Sequence, residues 1–140
     1  MKYTELKEYY REKINNQKGM FFAFNKEQFE EGMQKIGLDI EKINQIAKIG
    51  GGGYILKSEV KNFNNLVKEQ QSKIKEKMLN DYNFARGAIK YEMFNIEYCY
   101  NESDEEVLSI LSLTFEDLEK NKKLTKVFLE AKKEYYNEVY

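Results

Sequence analysis

Glu92 and Asn95 are the residues whose type and spacing point most directly to chemistry. Read as one helix turning about 100° per residue, the stretch 83–100 (NFARGAIKYEMFNIEYCY) places Asn83, Arg86, Lys90 and Glu97 on one narrow polar stripe. Glu92 and Asn95 fall instead on the wide apolar arc, close in angle to Phe84, Ala88 and Cys99. A carboxyl group on a buried arc needs a cation, several donors or a proton, because leaving it bare is costly. Three positions apart, the two side chains are able to act on one partner. One reading is a structural pair that ties this helix to a neighbour. The other is a binding or catalytic carboxylate.

The run Gly50, Gly51, Gly52 and Gly53 is the second candidate. Consecutive glycines let backbone N–H groups approach an anion closely, so with Arg86, Glu92 and Asn95 they suggest a small-ligand site, for instance for a nucleotide signal. The lysine and hydroxyl residue of a phosphate-binding loop do not follow the glycines, and no helix opens directly from them. A tight connection into a strand at Tyr54–Lys57 is the competing reading. With no histidine in the chain, histidine bases and triads are excluded. One cysteine leaves zinc almost no ligands and excludes an internal disulfide, and Cys99 itself suits a small core position. No catalytic residue, metal site or cofactor is assigned, and the chain is expected not to be an enzyme.

Charge is the third signal. The formal net charge is −1, yet residues 91–119 hold nine acids and no lysine or arginine. Those acids are Glu92, Glu97, Glu102, Asp104, Glu105, Glu106, Glu116, Asp117 and Glu119. Some are explained as helix caps or as partners for the lysines of 57–77 and 120–133. The remainder suggests a negative surface that attracts a basic macromolecule, with Glu97, Glu102, Asp104, Glu105 and Glu106 as the contact. A magnesium site for hydrolysis is the third possibility, but these spacings do not assemble one. Only Arg11 and Arg86 are arginines, which argues against direct reading of nucleic acid. No membrane-length apolar run is present, so a soluble, cytoplasmic protein is expected.

These residues must be positioned by a mainly helical α+β fold, read as one compact domain over 1–140. About six helices are expected around the 83–100 helix, with one short strand pair. Tyr3, Leu6, Tyr10 and Ile14 repeat at helical spacing, and Met20–Phe24 suits a buried strand paired with Tyr54–Lys57. Asn25 and Gln28 signal the start of a helix that Gly37 ends. A second short helix is expected from Asp39, with Ile40, Ile43, Ile46 and Ala47 inward. A long helix should run from Ser58 to about Asp81. Ser103–Glu106 and Thr114–Asp117 mark two further starts, and the last helix places Leu124, Phe128, Ala131, Tyr135 and Val139 inward.

Three blocks together resemble a known group. FFAFNKEQFEEGMQKIGL (21–38), IGGGGYILKSEVKNF (49–63) and YEMFNIEYCY (91–100), the last followed by an acidic run ending in LSL, are similar to small, mostly uncharacterised proteins of phages, prophages and plasmids. The resemblance implies a defence inhibitor, of the kind that includes anti-CRISPR proteins. On that basis the partner is a host defence protein, such as a nucleic-acid-binding effector nuclease, met in the bacterial cytoplasm. The group supplies no catalytic residues to carry over.

Overall fold

The computed structural model describes residues 1–140 as a mainly helical chain with one small antiparallel sheet. Its residues gather into two compact units, Tyr10–Lys68 in one and Met1–Tyr9 with Glu69–Tyr140 in the other. Helices α1 (Tyr3–Asn15) and α3 (Val60–Asn80) each contribute residues to both.

The 10–68 unit carries the sheet. Strands β1 (Met20–Phe22), β2 (Ile46–Gly50) and β3 (Gly53–Leu56) lie in the order β1-β3-β2, all antiparallel, with Phe21 opposite Tyr54 and Lys48 opposite Tyr54 on the other side. The Met20–Phe24 pairing with Tyr54 is therefore as expected, but the sheet has three strands rather than two. Helix α2 (Lys26–Lys35) starts where Asn25 accepts the Gln28 N–H at 2.8 Å, while the Gln28 side chain accepts from the Phe24 N–H. It ends at Gly37 in the left-handed region, where the Leu38 N–H reaches Met33 O and the Gly37 N–H reaches Gln34 O. Phe21, Ala23, Met33 and Ile46 form the core here, flanked by Phe29, Ile36, Leu38, Tyr54 and Leu56. Gly32 in α2 has a packing reason, since a Cβ there would lie 2.1 Å from the Phe21 ring.

The segment 39–47 departs from expectation. Asp39 makes no capping bond, Ile40–Gln45 forms only 3-10 turns, and Ile46 onward is β2. Ile40 and Ile43 stay 47% and 55% exposed rather than turning inward. The isoleucines' β-branched side chains favour a strand where their spacing favours a helix, and from Ile46 on pairing with β3 supplies the backbone partners that decide it.

The other unit is built on α4 (Tyr82–Asn95) and α8 (Lys122–Val139). Asp81 caps α4 by accepting the Phe84 N–H at 3.1 Å. Phe84, Ala85, Ala88, Ile89, Glu92 and Met93 are its buried residues. Leu124, Val127, Phe128, Ala131 and Tyr135 are those of α8, each large apolar side chain worth about 1.5–3 kcal/mol when removed from water. Val139, expected inward, is 36% exposed. Arg86 pairs with Glu130 and Glu134, and Lys90 with Glu134 and Glu138, so numbers rise together and the helices run in the same direction. The chain between them forms α5 (Tyr98–Asn101), α6 (Asp104–Ile110) and α7 (Phe115–Lys120). Ser103 and Thr114 cap α6 and α7, the latter with a complete capping box to Asp117.

The 83–100 helix is not continuous. It stops at Asn95, and Glu97 adopts a left-handed conformation (φ 52°, ψ 55°) before α5 begins. The break delivers Tyr98, 2% exposed, against Tyr135 at 5.8 Å between ring centroids. No glycine or proline marks that point, so helical periodicity runs through it unaltered.

Candidate functional site

Glu92 is fully buried on α4, as its place on the apolar arc predicts. Three donors converge on its carboxyl group. The Tyr3 hydroxyl donates at 2.5 Å and Lys7 Nζ at 3.2 Å, both from α1, and Asn95 Nδ2 donates at 3.1 Å from one turn along α4. Lys7 also lies over two rings, 5.4 Å from the centroid of Tyr3 and 5.1 Å from that of Tyr91. Burial, and then the bond to Glu92, push the Tyr3 hydroxyl well above the usual tyrosine range. Both carboxylate oxygens of Glu92 have donors within it. The geometry is that of a structural tie between α1 and α4. Asn95 itself is exposed, contrary to its expected place on the buried arc, and reaches Glu92 only with its amide.

Arg86, grouped with Glu92 and Asn95 by the sequence, has its side chain engaged with α8, at 2.7 Å from Glu130 and 3.9 Å from Glu134. Gly50, Gly51, Gly52 and Gly53 belong to the sheet unit. Gly50 and Gly53 are paired across β2 and β3, and Gly51 and Gly52 form the turn between them. Their φ angles of 59° and 80° explain the composition, since a two-residue hairpin of this hand needs positive φ at both central positions. Gly52 has a second reason, because a Cβ there would strike the Phe24 ring at 2.4 Å. The glycines thus build a hairpin, and a strand follows them.

The acidic stretch divides in two. Four of its nine acids meet a lysine: Glu92 meets Lys7, Asp104 meets Lys132 at 3.1 Å, Asp117 meets Lys75 at 3.5 Å, and Glu116 meets Lys120 at 2.8 Å. Asp104 also accepts from the Tyr98 hydroxyl, which joins burial in raising that phenol's pKa. Glu97, Glu102, Glu105, Glu106 and, further along, Glu119 are exposed and have no lysine or arginine within 4.0 Å. Glu102 accepts from the Tyr136 hydroxyl, and Glu106 from Asn101 Nδ2 at 3.3 Å, so two of these carboxylates are held in place by neutral donors. Tyr100, 83% exposed, stands among them. Sequence reasoning had no signal for Tyr100 as a surface residue, because its exposure depends on the break at Glu97.

No group of three or more histidine, cysteine, aspartate or glutamate side chains is gathered to hold a metal. Cys99 is partly buried, and its N–H donates to the Tyr135 hydroxyl at 3.0 Å. No helix is long and apolar enough to cross a membrane.

A model of a family of unknown function, DUF7659, matches residues 2–134. The chain belongs to that family. The match takes in α1 through most of α8, and so includes Glu92, its donors and the whole acidic stretch. No curated protein and no solved structure matches the chain.

Proposed function

We propose that this chain is a non-enzymatic binding protein that offers Glu97, Glu102, Glu105 and Glu106 to a basic face of a macromolecular partner. One observation carries the reading: four exposed carboxylates lie within ten residues with no cation of the protein's own beside them. Elsewhere in the same stretch Glu92, Glu116 and Asp117 are paired with lysines and only Glu119 is not, so the excess of negative charge is concentrated in this segment. Such a surface raises the association rate with a positively charged partner and disfavours like-charged ones. Asp104, the fifth expected contact residue, differs from these four in having Lys132 at 3.1 Å. The resemblance of the three sequence blocks to phage, prophage and plasmid proteins supports a host defence protein as the partner. An effector nuclease such as that of a CRISPR system, whose nucleic-acid groove is basic, is the specific form of the proposal, with binding in the bacterial cytoplasm.

The test is affinity capture from host lysate with the wild-type chain and with a quadruple variant carrying Glu97→Lys, Glu102→Lys, Glu105→Lys and Glu106→Lys. A defence protein retained by the wild type, released by salt and missing from the variant is the expected result. Equal capture by the two proteins removes this surface as the contact.

A further inference from the structure

We propose that the free edge of β1 docks an extended peptide segment of a partner protein, added to the sheet as an antiparallel fourth strand with its acidic end at Met20. The strand order β1-β3-β2 leaves β1 with a neighbour on one side only. Which of its backbone groups are left over follows from the ladder. The Ala23 N–H donates to Gly52 O and the Leu56 N–H to Gly19 O, both at 2.9 Å. Directly opposed residues of an antiparallel pair alternate between bonded and non-bonded, so Gly19, Phe21 and Ala23 turn their backbone groups toward β3. Met20 and Phe22 therefore present theirs to the free edge. The edge closes just beyond, where the Phe24 N–H is taken by Gln28 Oε1 at 2.9 Å.

There is room for a strand along this edge. A groove of about 340 Å³ is lined by Met20, Phe21 and Phe22 of β1 and by Gln28, Glu31 and Lys35, which share one face of α2. A second hollow of about 360 Å³ adjoins it at the start of β1, with Asn15, Met20 and Lys35 common to both. Addition of an extended peptide to an exposed edge is a recurring mode of recognition, in which main-chain bonds give affinity and alternate side chains give specificity. Edges protected from such pairing carry charges, proline or a bulge. β2, at the other edge, has an irregularity between Lys48 and Gly50, whereas Met20–Phe22 is uncharged and in regular register.

Charge selects and orients the occupant. α2 runs back from the contact of Gln28 with Phe24, so Glu31 lies toward the Phe22 end of the groove and Lys35 at the Met20 end. Lys18 joins Lys35 there, and neither has a carboxylate within 4.0 Å. An antiparallel strand brings its carboxyl-terminal residues to Met20, where acids meet both lysines. Phe22, 47% exposed on the face opposite the buried Phe21, favours β-branched side chains at alternate positions. None of these residues belongs to the Glu97–Glu106 surface, so the two contacts are independent.

The probe is a fluorescein-labelled hexapeptide reading threonine-valine-threonine-valine-glutamate-glutamate, titrated with the full chain and followed by anisotropy. A saturable rise is expected, weaker by about threefold or more when two lysines replace the glutamates. Residues opposite Met20 and Phe22 share their face and turn their amides to β1. With valines in those places, N-methylation of the valine amides should weaken binding at least about tenfold, and N-methylation of the threonine amides should leave it unchanged. Lys35→Glu, at an exposed position, should reverse the preference between the two peptides. The methylated peptides leave the protein untouched, so their result stands even if that variant does not fold. The proposal is overturned by an anisotropy that does not saturate, by equal effects of the two methylations, or by a folded Lys35→Glu chain that keeps the wild-type preference.

Discussion

At the scale of single residues, Glu92 sets the strongest constraint. A fully buried carboxyl group is tolerated because Tyr3, Lys7 and Asn95 all donate to it. Removing one donor leaves the acceptor short of a partner while its burial is unchanged. Tyr3→Phe should therefore cost about 1–3 kcal/mol, read as a lower urea midpoint at constant slope. Adding Glu92→Leu to Tyr3→Phe should restore part of that loss, since an apolar side chain has no unmet demand. A double variant less stable than Tyr3→Phe alone would contradict this account of the cluster. Lys7 is 35% exposed, so water screens its share and Lys7→Met should cost less than Tyr3→Phe.

At the scale of elements, the caps and turns carry separable contributions. Thr114 and Asp117 satisfy one another's backbone N–H groups at the start of α7, and Thr114→Ala should cost about 1 kcal/mol by loss of the cap. Gly52→Ala combines a positive φ with a collision against Phe24, so it should destabilise more than Gly51→Ala, whose Cβ would meet open space. Comparing the two urea midpoints separates backbone strain from crowding. Glu97 is the converse case, a side chain held at φ 52° between α4 and α5. Glu97→Gly should stabilise the protein by about 0.5–1 kcal/mol while removing one of the proposed contact carboxylates. Greater stability together with weaker partner capture would show the two roles of this residue apart.

At the scale of the whole molecule, tyrosines set the alkaline limit, Tyr135 among them by its burial. Tyr3 and Tyr98 are raised above the ordinary value of 10.0 by burial first and a carboxyl neighbour second, and Tyr136 chiefly by its bond to Glu102. In the unfolded chain these phenols ionise near the ordinary value, while in the folded chain they stay protonated to higher pH. Their contribution is thus complete below about pH 10 and is lost as pH rises beyond it. Stability measured by urea midpoint should fall through that range, and Tyr98→Phe should flatten the fall. On the acid side the Thr114 N–H, with help from Lys75, lowers the pKa of Asp117. That contribution is present above the ordinary carboxylate value of 3.8 and disappears as pH falls below it.

Local patterns determined much of this protein without reference to anything distant. Asn25, Ser103 and Thr114 start helices, Gly37 ends one, and the apolar spacing of α4 and α8 marks their buried faces, because capping and periodicity involve residues only a few positions apart. The burial of Glu92 followed from the same spacing. Its donors did not: Tyr3 and Lys7 lie 89 and 85 positions away, and no local rule connects them. Folding likewise decided that 46–50 pairs as a strand, that the helix breaks at Glu97, and that Lys132 neutralises Asp104 while Glu97, Glu102, Glu105 and Glu106 keep their charge toward solvent. Each of these outcomes is a competition between near-equal local conformations or between possible partners. Such competitions are settled by which backbone groups and charges the fold brings within hydrogen-bonding reach.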